Sequence, residues 1–206
     1  MNEWATNISC GEQKDIDALV SMCRTCFPRS LRWHGNRSLA EKWWEAVFSA
    51  AGAEVYVVRK DGQIVAFCLL VTDENAFNTV MSRLQTSWRR RILCLTRCPL
   101  VVLRKAVTVL RRRLRSRKRL TSCPVPTDWS PEGRTWIELI AVSPLYRRKG
   151  YASMLMKHCD SRSLALGKTK IGLKADEDNT SSRMFYESLG FTELWADAGG
   201  CYGKSL

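Results

Sequence analysis

Apolar residues at Ile16, Leu19, Val20, Cys23 and Cys26 recur at steps of three and four, which predicts a helix over residues 15–26, stopped by Phe27-Pro28. A loop rich in Arg, Ser and Gly follows from Pro28 to Arg37. Ser38-Leu-Ala-Glu41 has capping-box spacing and opens a second helix through Trp43, Trp44, Val47 and Phe48 toward Gly52. The period then changes. Residues 53–60 and 63–72 are β-branched and aromatic runs joined by Asp61-Gly62, a dipeptide suited to a two-residue hairpin turn. Downstream, residues 136–142 read as a strand and 149–166 as a helix with Ala152, Leu155, Met156 and Cys159 on its apolar side. Residues 170–175 form a short strand, 180–189 a helix ended by Gly190, and Phe191 opens a last extended stretch. The order α-α-β-β-insert-β-α-β-α-β predicts a single mixed α/β domain over residues 1–206, without internal repeats.

Charge changes this picture in one place. The chain has 33 Lys and Arg against 20 Asp and Glu, a formal net charge of +13. Fourteen of the basic residues lie between Arg83 and Leu120, where there is no acidic residue, so the rest of the chain is close to neutral. A uniformly basic, chromatin-like protein is excluded. The basic segment belongs to a connection of about 60 residues, Asp73 to Thr135, between two strands, which closes through Pro124, Pro126, Pro131 and Gly133. Within it Leu100, Leu103, Val107, Leu110 and Leu114 repeat at helical steps, with most arginines elsewhere around the wheel. Val80, Leu84, Trp88, Leu93 and Leu95 precede them and break near Cys98-Pro99. Residues 76–124 thus read as an inserted basic helical hairpin. Three partners suit it: an anionic membrane surface, RNA, or the catalytic body or a second copy, on which it would sit as a lid. The apolar stripe favours the membrane surface over RNA, because phosphate binding does not require it.

Met1 to Lys14 carries Glu3 and Glu12 and has no apolar core, so no export signal is expected there, and no run is long enough to span a bilayer. The nine cysteines are odd in number and scattered through apolar contexts, which fits reduced thiols and a cytoplasmic location. Cys23-Arg-Thr-Cys26 has no second pair at zinc-ribbon distance, and no metal is expected.

The strongest local signal is Ile140-Ala-Val-Ser-Pro-Leu-Tyr-Arg-Arg-Lys-Gly-Tyr-Ala152. A buried strand ends at Val142, a turn containing Pro144 follows, and a helix begins near Gly150, flanked by Arg147, Arg148 and Lys149. Free N–H groups, the positive helix end and small residues make an anion cradle suited to a pyrophosphate, although the same residues also suit a solvated basic first turn. The glycine spacing is that of neither a Walker loop nor a dinucleotide fingerprint.

Arg147-x-x-Gly150-x-Ala152 resembles the Gln/Arg-x-x-Gly-x-Gly/Ala signature of the GNAT-type N-acetyltransferase superfamily. Asp178-Asn179 and Met184-Phe-Tyr186-Glu-Ser-Leu-Gly-Phe191 are similar to that superfamily's Asn…Tyr-x-x-x-Gly-Phe ending, in the right order and spacing. The resemblance implies a mixed central sheet flanked by helices, with a basic helical insertion where superfamily members have a short turn. It implies acetyl-CoA as co-substrate, with backbone groups of Ala141 and Val142 on its pantetheine arm. The segment opened by Arg147, from Arg148 through Lys149, Gly150 and Tyr151 to Ala152, would hold the pyrophosphate, and Asn179 would touch the arm. Tyr186 is implied to be the general acid for the departing thiolate, against a packing role in the core. Glu138, four residues before Val142 and expected on the same face, is the first choice for general base, with an ion pair to Arg134 or to the insert as the competing role. The glutamate that some members carry on the next strand is replaced here by Lys174, which weakens the analogy with the ribosomal-protein acetylating members. Asp176, Glu177 and Asp178 form an acidic loop beside the expected site, suited to a cationic acceptor or simply to solvent.

The expected activity is transfer of an acetyl group to a primary amine of a small molecule or peptide, by direct attack in a ternary complex. The alternatives are an aminoacyl-tRNA or other RNA-linked amine as acceptor, or a non-catalytic module on a membrane surface. Gly150, Asn179 and Tyr186 are all present, which speaks against the module. A monomer or homodimer, peripheral at the inner face of the membrane, completes the expectation.

Overall fold

The computed structural model describes residues 8–28, 30–34, 36–85, 129–175, 179–197 and 199–206. Its elements are β1 (Ile8–Cys10), α1 (Ile16–Cys26), α2 (Leu31–His34), α3 (Arg37–Ser49), β2 (Ala53–Lys60), β3 (Gln63–Val71) and α4 (Glu74–Gln85). After the basic segment come β4 (Arg134–Val142), α5 (Tyr151–Ala165), β5 (Lys170–Ala175), α6 (Thr180–Ser188), β6 (Thr192–Asp197) and β7 (Gly199–Ser205). Seven strands form one sheet in the order β1-β2-β3-β4-β5-β7-β6. Every pairing is antiparallel except β4–β5, the pair connected through α5.

Strand β3 explains the layering. Phe67, Leu69 and Val71 face a cluster with Leu19, Val20 and Cys23 of α1, Trp33 of α2, Trp44 and Val47 of α3, and Phe77 and Met81 of α4. The alternate residues Ala66, Cys68 and Leu70 face Leu155, Met156 and Cys159 of α5 and Tyr186 of α6. A strand buried on both faces needs an unbroken apolar run, and residues 64–71 supply one. Asp61 and Gly62 both have positive φ, 51° and 76°, as a two-residue hairpin turn requires. Trp44 anchors the first face, fully buried among the rings of Trp33, Trp43, Phe48 and Phe67.

Several boundaries differ from the sequence pattern. The second long helix is capped by Asn36, whose side chain accepts from the Ser38 amide, so it begins at Arg37 ahead of the Ser38 box. The loop from Pro28 to Arg37 contains the turn α2. The long connection begins as a helix of the body: Phe77 and Met81 of α4 are buried, and Glu74 receives a bidentate pair from Arg134 of β4 at 2.7 and 3.0 Å. The hairpin expected beyond Gln85 lies outside the described residues. Among the described residues, no helix is long and apolar enough to cross a membrane.

Candidate active site

The site is built where the sheet opens. The parallel register runs from Arg134↔Lys170 to Ile137↔Leu173, after which β4 continues to Val142 while β5 ends at Ala175. On its other side β4 carries a bulge: Leu69 pairs with Leu139 and Leu70 with Ile137, so Glu138 is the extra residue. Two strands that part in this way leave a wedge at their C-terminal ends, where, among the described residues, the β5-facing edge of β4 beyond Ile137 pairs with no strand.

The bulge corrects the expectation for Glu138. Ile140 and Val142 pack on the α5 face, while Leu139 packs on the α1–α4 face. The carboxylate of Glu138 reaches that second face, 3.7 Å from Arg32 of α2, and so is not on the face of Val142. One extra residue shifts the two-residue alternation by one position. Arg134, the competing ion-pair partner, is engaged by Glu74. Burial raises the Glu138 pKa above the ordinary carboxylate value, while the charges of Arg32 and Lys174 act against that rise.

Beyond Val142 the chain makes a single helical turn over Pro144–Tyr146 and then a second, tighter reversal. Arg148 has φ +59° and Gly150 φ +82°. Helix α5 follows, and its first intrahelical bond runs from the Met154 amide to the Gly150 carbonyl. The amides of Tyr151, Ala152 and Ser153 are therefore not used within the helix. Two left-handed residues directly ahead of a helix start bring free amide groups together, and the helix dipole favours an anion beside them. Arg147, Arg148 and Lys149 are exposed around it, and the ring of Tyr146 lies 5.2 Å from the Lys149 ammonium and 5.9 Å from that of Lys60. This donor set fits a pyrophosphate, and with the wedge beside it a CoA-type molecule with its arm along β4 also fits. The Val142 carbonyl, expected to serve that arm, accepts from Arg147 Nε at 3.3 Å and from the Cys26 thiol at 3.5 Å, while Ala141 is buried.

The left-handed backbone at Gly150 gives a direct check of the cradle. A Cβ there would meet no atom within 4 Å, so a substitution is penalised by the backbone and not by crowding. A β-branched residue at positive φ is disfavoured by about 1–2 kcal/mol. Gly150→Val is expected to weaken acetyl-CoA binding roughly 10-fold by calorimetry, and Gly150→Asn to retain most of it, since Asn tolerates this conformation. Equal affinities for the two variants would exclude the loop as the cradle.

Helix α6 carries the two remaining candidates. Asn179 is its N-cap, with Oδ1 accepting from the Ser182 amide at 3.2 Å. That role leaves its side-chain NH₂ for another partner. Tyr186 is buried between Phe185 and Phe191, on the α5 face. Burial, with a smaller contribution from Cys68, pushes its phenol pKa up, which keeps the hydroxyl protonated at neutral pH. Among the described residues, none hydrogen-bonds this hydroxyl. Tyr186 and Glu138 thus lie on opposite faces of the sheet. Asp176, Glu177 and Asp178 lie outside the described residues. Pattern reasoning did not single out Arg32, and it placed Cys26 on an apolar helix face without linking it to Val142; both contacts with β4 span more than 100 residues of chain.

The sequence profile of the acetyltransferase (GNAT) family matches residues 119–191. No curated protein matches the chain. Among solved structures, a PaiA N-acetyltransferase from Thermoplasma acidophilum in complex with coenzyme A is 11% identical with a TM-score of 0.57, the match covering 97% of this chain and 98% of that one. A ribosomal-protein-alanine N-acetyltransferase from Escherichia coli is 14% identical with a TM-score of 0.56, covering 96% of this chain and 92% of that one. An aminoglycoside N-acetyltransferase in complex with CoA is 14% identical with a TM-score of 0.58, covering 93% and 90%. At such identities the likeness is one of fold, and the fold shared is the GNAT fold.

Proposed function

We propose that this chain, a GNAT-type acyltransferase by its matched segment and its fold, transfers an acetyl group from acetyl-CoA to a primary amine by direct attack in a ternary complex. Three features support the reading. They are the Arg148–Gly150 cradle, the wedge between β4 and β5, and the pair Tyr186 and Glu138 on opposite faces. When bound, acetyl-CoA supplies an acyl group already activated as a thioester. The amides of residues 148–152 and the flanking cations hold its pyrophosphate, and Asn179 orients the arm through its side-chain NH₂. Glu138 accepts the proton that the attacking amine loses. Tyr186 Oη gives its proton to the departing thiolate sulfur. Preorganised positioning of the two reactants supplies most of the rate.

Saturable binding of acetyl-CoA by calorimetry and a matching rise in Tm test the co-substrate assignment, and a chain that shows neither does not have this activity. The acceptors in the names of the structural neighbours, a ribosomal protein alanine and an aminoglycoside, make a small-molecule or peptide amine the class to test.

The same reading takes the chain as one domain carrying residues 76–124 as an insertion, in a cytoplasmic protein whose basic segment rests on an anionic membrane surface. Its support is the apolar stripe Leu100 to Leu114 set among arginines. Each basic residue near such a surface contributes roughly 1 kcal/mol. The full chain is expected to sediment with vesicles containing phosphatidylserine and to be released as salt rises. Equal recovery with neutral vesicles would remove the membrane from the account, and tight tRNA binding in a gel shift would replace it with RNA.

A further inference from the structure

On the acyltransferase reading above, with Glu138 as its base, we propose that Arg32 is a positioning residue: two tryptophans hold its guanidinium beside Glu138, and it serves the reaction by keeping that carboxylate charged and in place. Direct titration of Glu138 tests this without an acceptor, so it can fail while the acyltransferase reading stands.

Three tryptophans meet on the α1–α4 face. Trp33 of α2 and Trp43 and Trp44 of α3 have ring centres 5.1 to 6.2 Å apart. A helix of four residues makes too few hydrogen bonds to hold its own shape. Helix α2 is fixed by its neighbours instead: the Trp33 ring is buried, and the Trp33 carbonyl accepts from Arg24 Nε of α1 at 2.8 Å. Arg32, the preceding residue, has its guanidinium 4.6 Å from the ring centre of Trp43 and 5.6 Å from that of Trp33. Aromatic faces attract a cation and confine an otherwise flexible side chain. The guanidinium so held lies 3.7 Å from the Glu138 carboxylate.

Glu138 needs such a partner. The bulge takes it out of the alternation of β4, and burial disfavours its charge. A base takes a proton only in its ionised form. Among the described residues, the charged groups that act on it are Arg32 of α2, Lys174 of β5 and Glu74 of α4, which Arg134 of β4 holds in a two-point pair. The Cys23 thiol of α1, which acts on Arg32, is kept neutral by burial. Loss of a cation at 3.7 Å disfavours the charged carboxylate whatever the other groups contribute. At that distance the guanidinium attracts Glu138 without a hydrogen bond, which leaves the carboxylate's lone pairs to an amine.

The full chain, labelled with ¹³C at its glutamate carboxyls, is titrated by NMR, and the Glu138 signal is assigned by its loss in Glu138→Gln. In Arg32→Gln the carboxyl is expected to titrate at higher pH than in the wild type, and in Arg32→Lys at an intermediate pH. An unmoved titration overturns the proposal. Turnover is then measured with saturating acetyl-CoA and spermidine, glucosamine or an alanyl peptide as probe amine. Arg32→Gln is expected to lower kcat roughly 10-fold, in the range of coupled contacting residues, with KM for the amine little changed. In the Glu138→Gln background the same substitution is expected to cost less than about 2-fold, because the group it acts through is gone. A loss that persists in full there overturns the proposal. If Arg32→Gln lowers Tm sharply, Trp43→Leu takes its place in both measurements, with an expected loss of about 3-fold, the size of a cation–π contact. An unmoved titration with CoA thiol still released overturns the role of Arg32 alone, whereas no release with any of the three amines overturns the acyltransferase reading and this role together.

Discussion

Tyr186→Phe is expected to lower kcat roughly 10- to 1,000-fold while leaving acetyl-CoA affinity and Tm nearly unchanged, a loss that reaches into the range of about 100- to 10,000-fold typical of general acid catalysis. The expectation follows from where the ring sits. Its aromatic body packs against Phe185 and Phe191 in the core beneath α5, so Phe preserves the packing. The hydroxyl has no hydrogen-bond partner among the described residues, so its removal strands no buried group. Burial holds the phenol protonated across the working pH range, which is the form a donor to a thiolate needs. A purely structural Tyr186 predicts the opposite pattern: a change in Tm or binding with kcat preserved. Unchanged turnover in Tyr186→Phe removes the residue from the mechanism.

Glu138→Gln is expected to lower kcat/KM for the amine roughly 100-fold at neutral pH and to remove the acidic limb of its pH profile. The sign follows from the environment. Burial raises the Glu138 pKa, and the charges of Arg32 and Lys174 limit that rise. A base works in its ionised form, so the wild-type rate climbs as pH rises through a pKa above the ordinary carboxylate range and then levels. Gln cannot titrate, and its residual rate follows the ionisation of the acceptor amine alone. A Gln variant that keeps the same acidic limb assigns the base to another group.

Much of the fold could be read from local pattern. The apolar run of β3, the Asp61-Gly62 turn and the helical periods of α1 and α5 are local, and local chemistry decides them. The cradle was legible for the same reason, because a glycine at a helix start with basic neighbours is a local feature. The C-terminal hairpin was less so. Strand β7 contains Gly199, Gly200 and Gly203, a composition that argues against a strand, yet a Cβ at Gly203 would come within 2.1 Å of Trp129. Glycine is there because a distant indole covers the strand, and that contact depends on the completed sheet. The bulge at Glu138 has a similar origin. It is set by the register between β3 and β4, segments separated by more than sixty residues, and it puts the carboxylate on the α1–α4 face, opposite Val142. Arg32 reaches Glu138 across a still longer separation. In this chain, the groups proposed to bind the co-substrate are local in sequence, whereas Glu138 and Arg32 are brought together by tertiary structure.

The central claim is that the chain moves an acetyl group from acetyl-CoA to an amine, and the most direct measurement is paired detection of both products. The full chain is incubated with acetyl-CoA and a panel of amino acids, amides, amino sugars, polyamines and peptides. CoA thiol is titrated while the acetylated amine is quantified by mass spectrometry. The account predicts that, for at least one acceptor, the two products appear in equal amounts and at equal rates, and that Tyr186→Phe slows both together. Thiol release without acetylated amine, or no release with any acceptor despite bound acetyl-CoA, would contradict it.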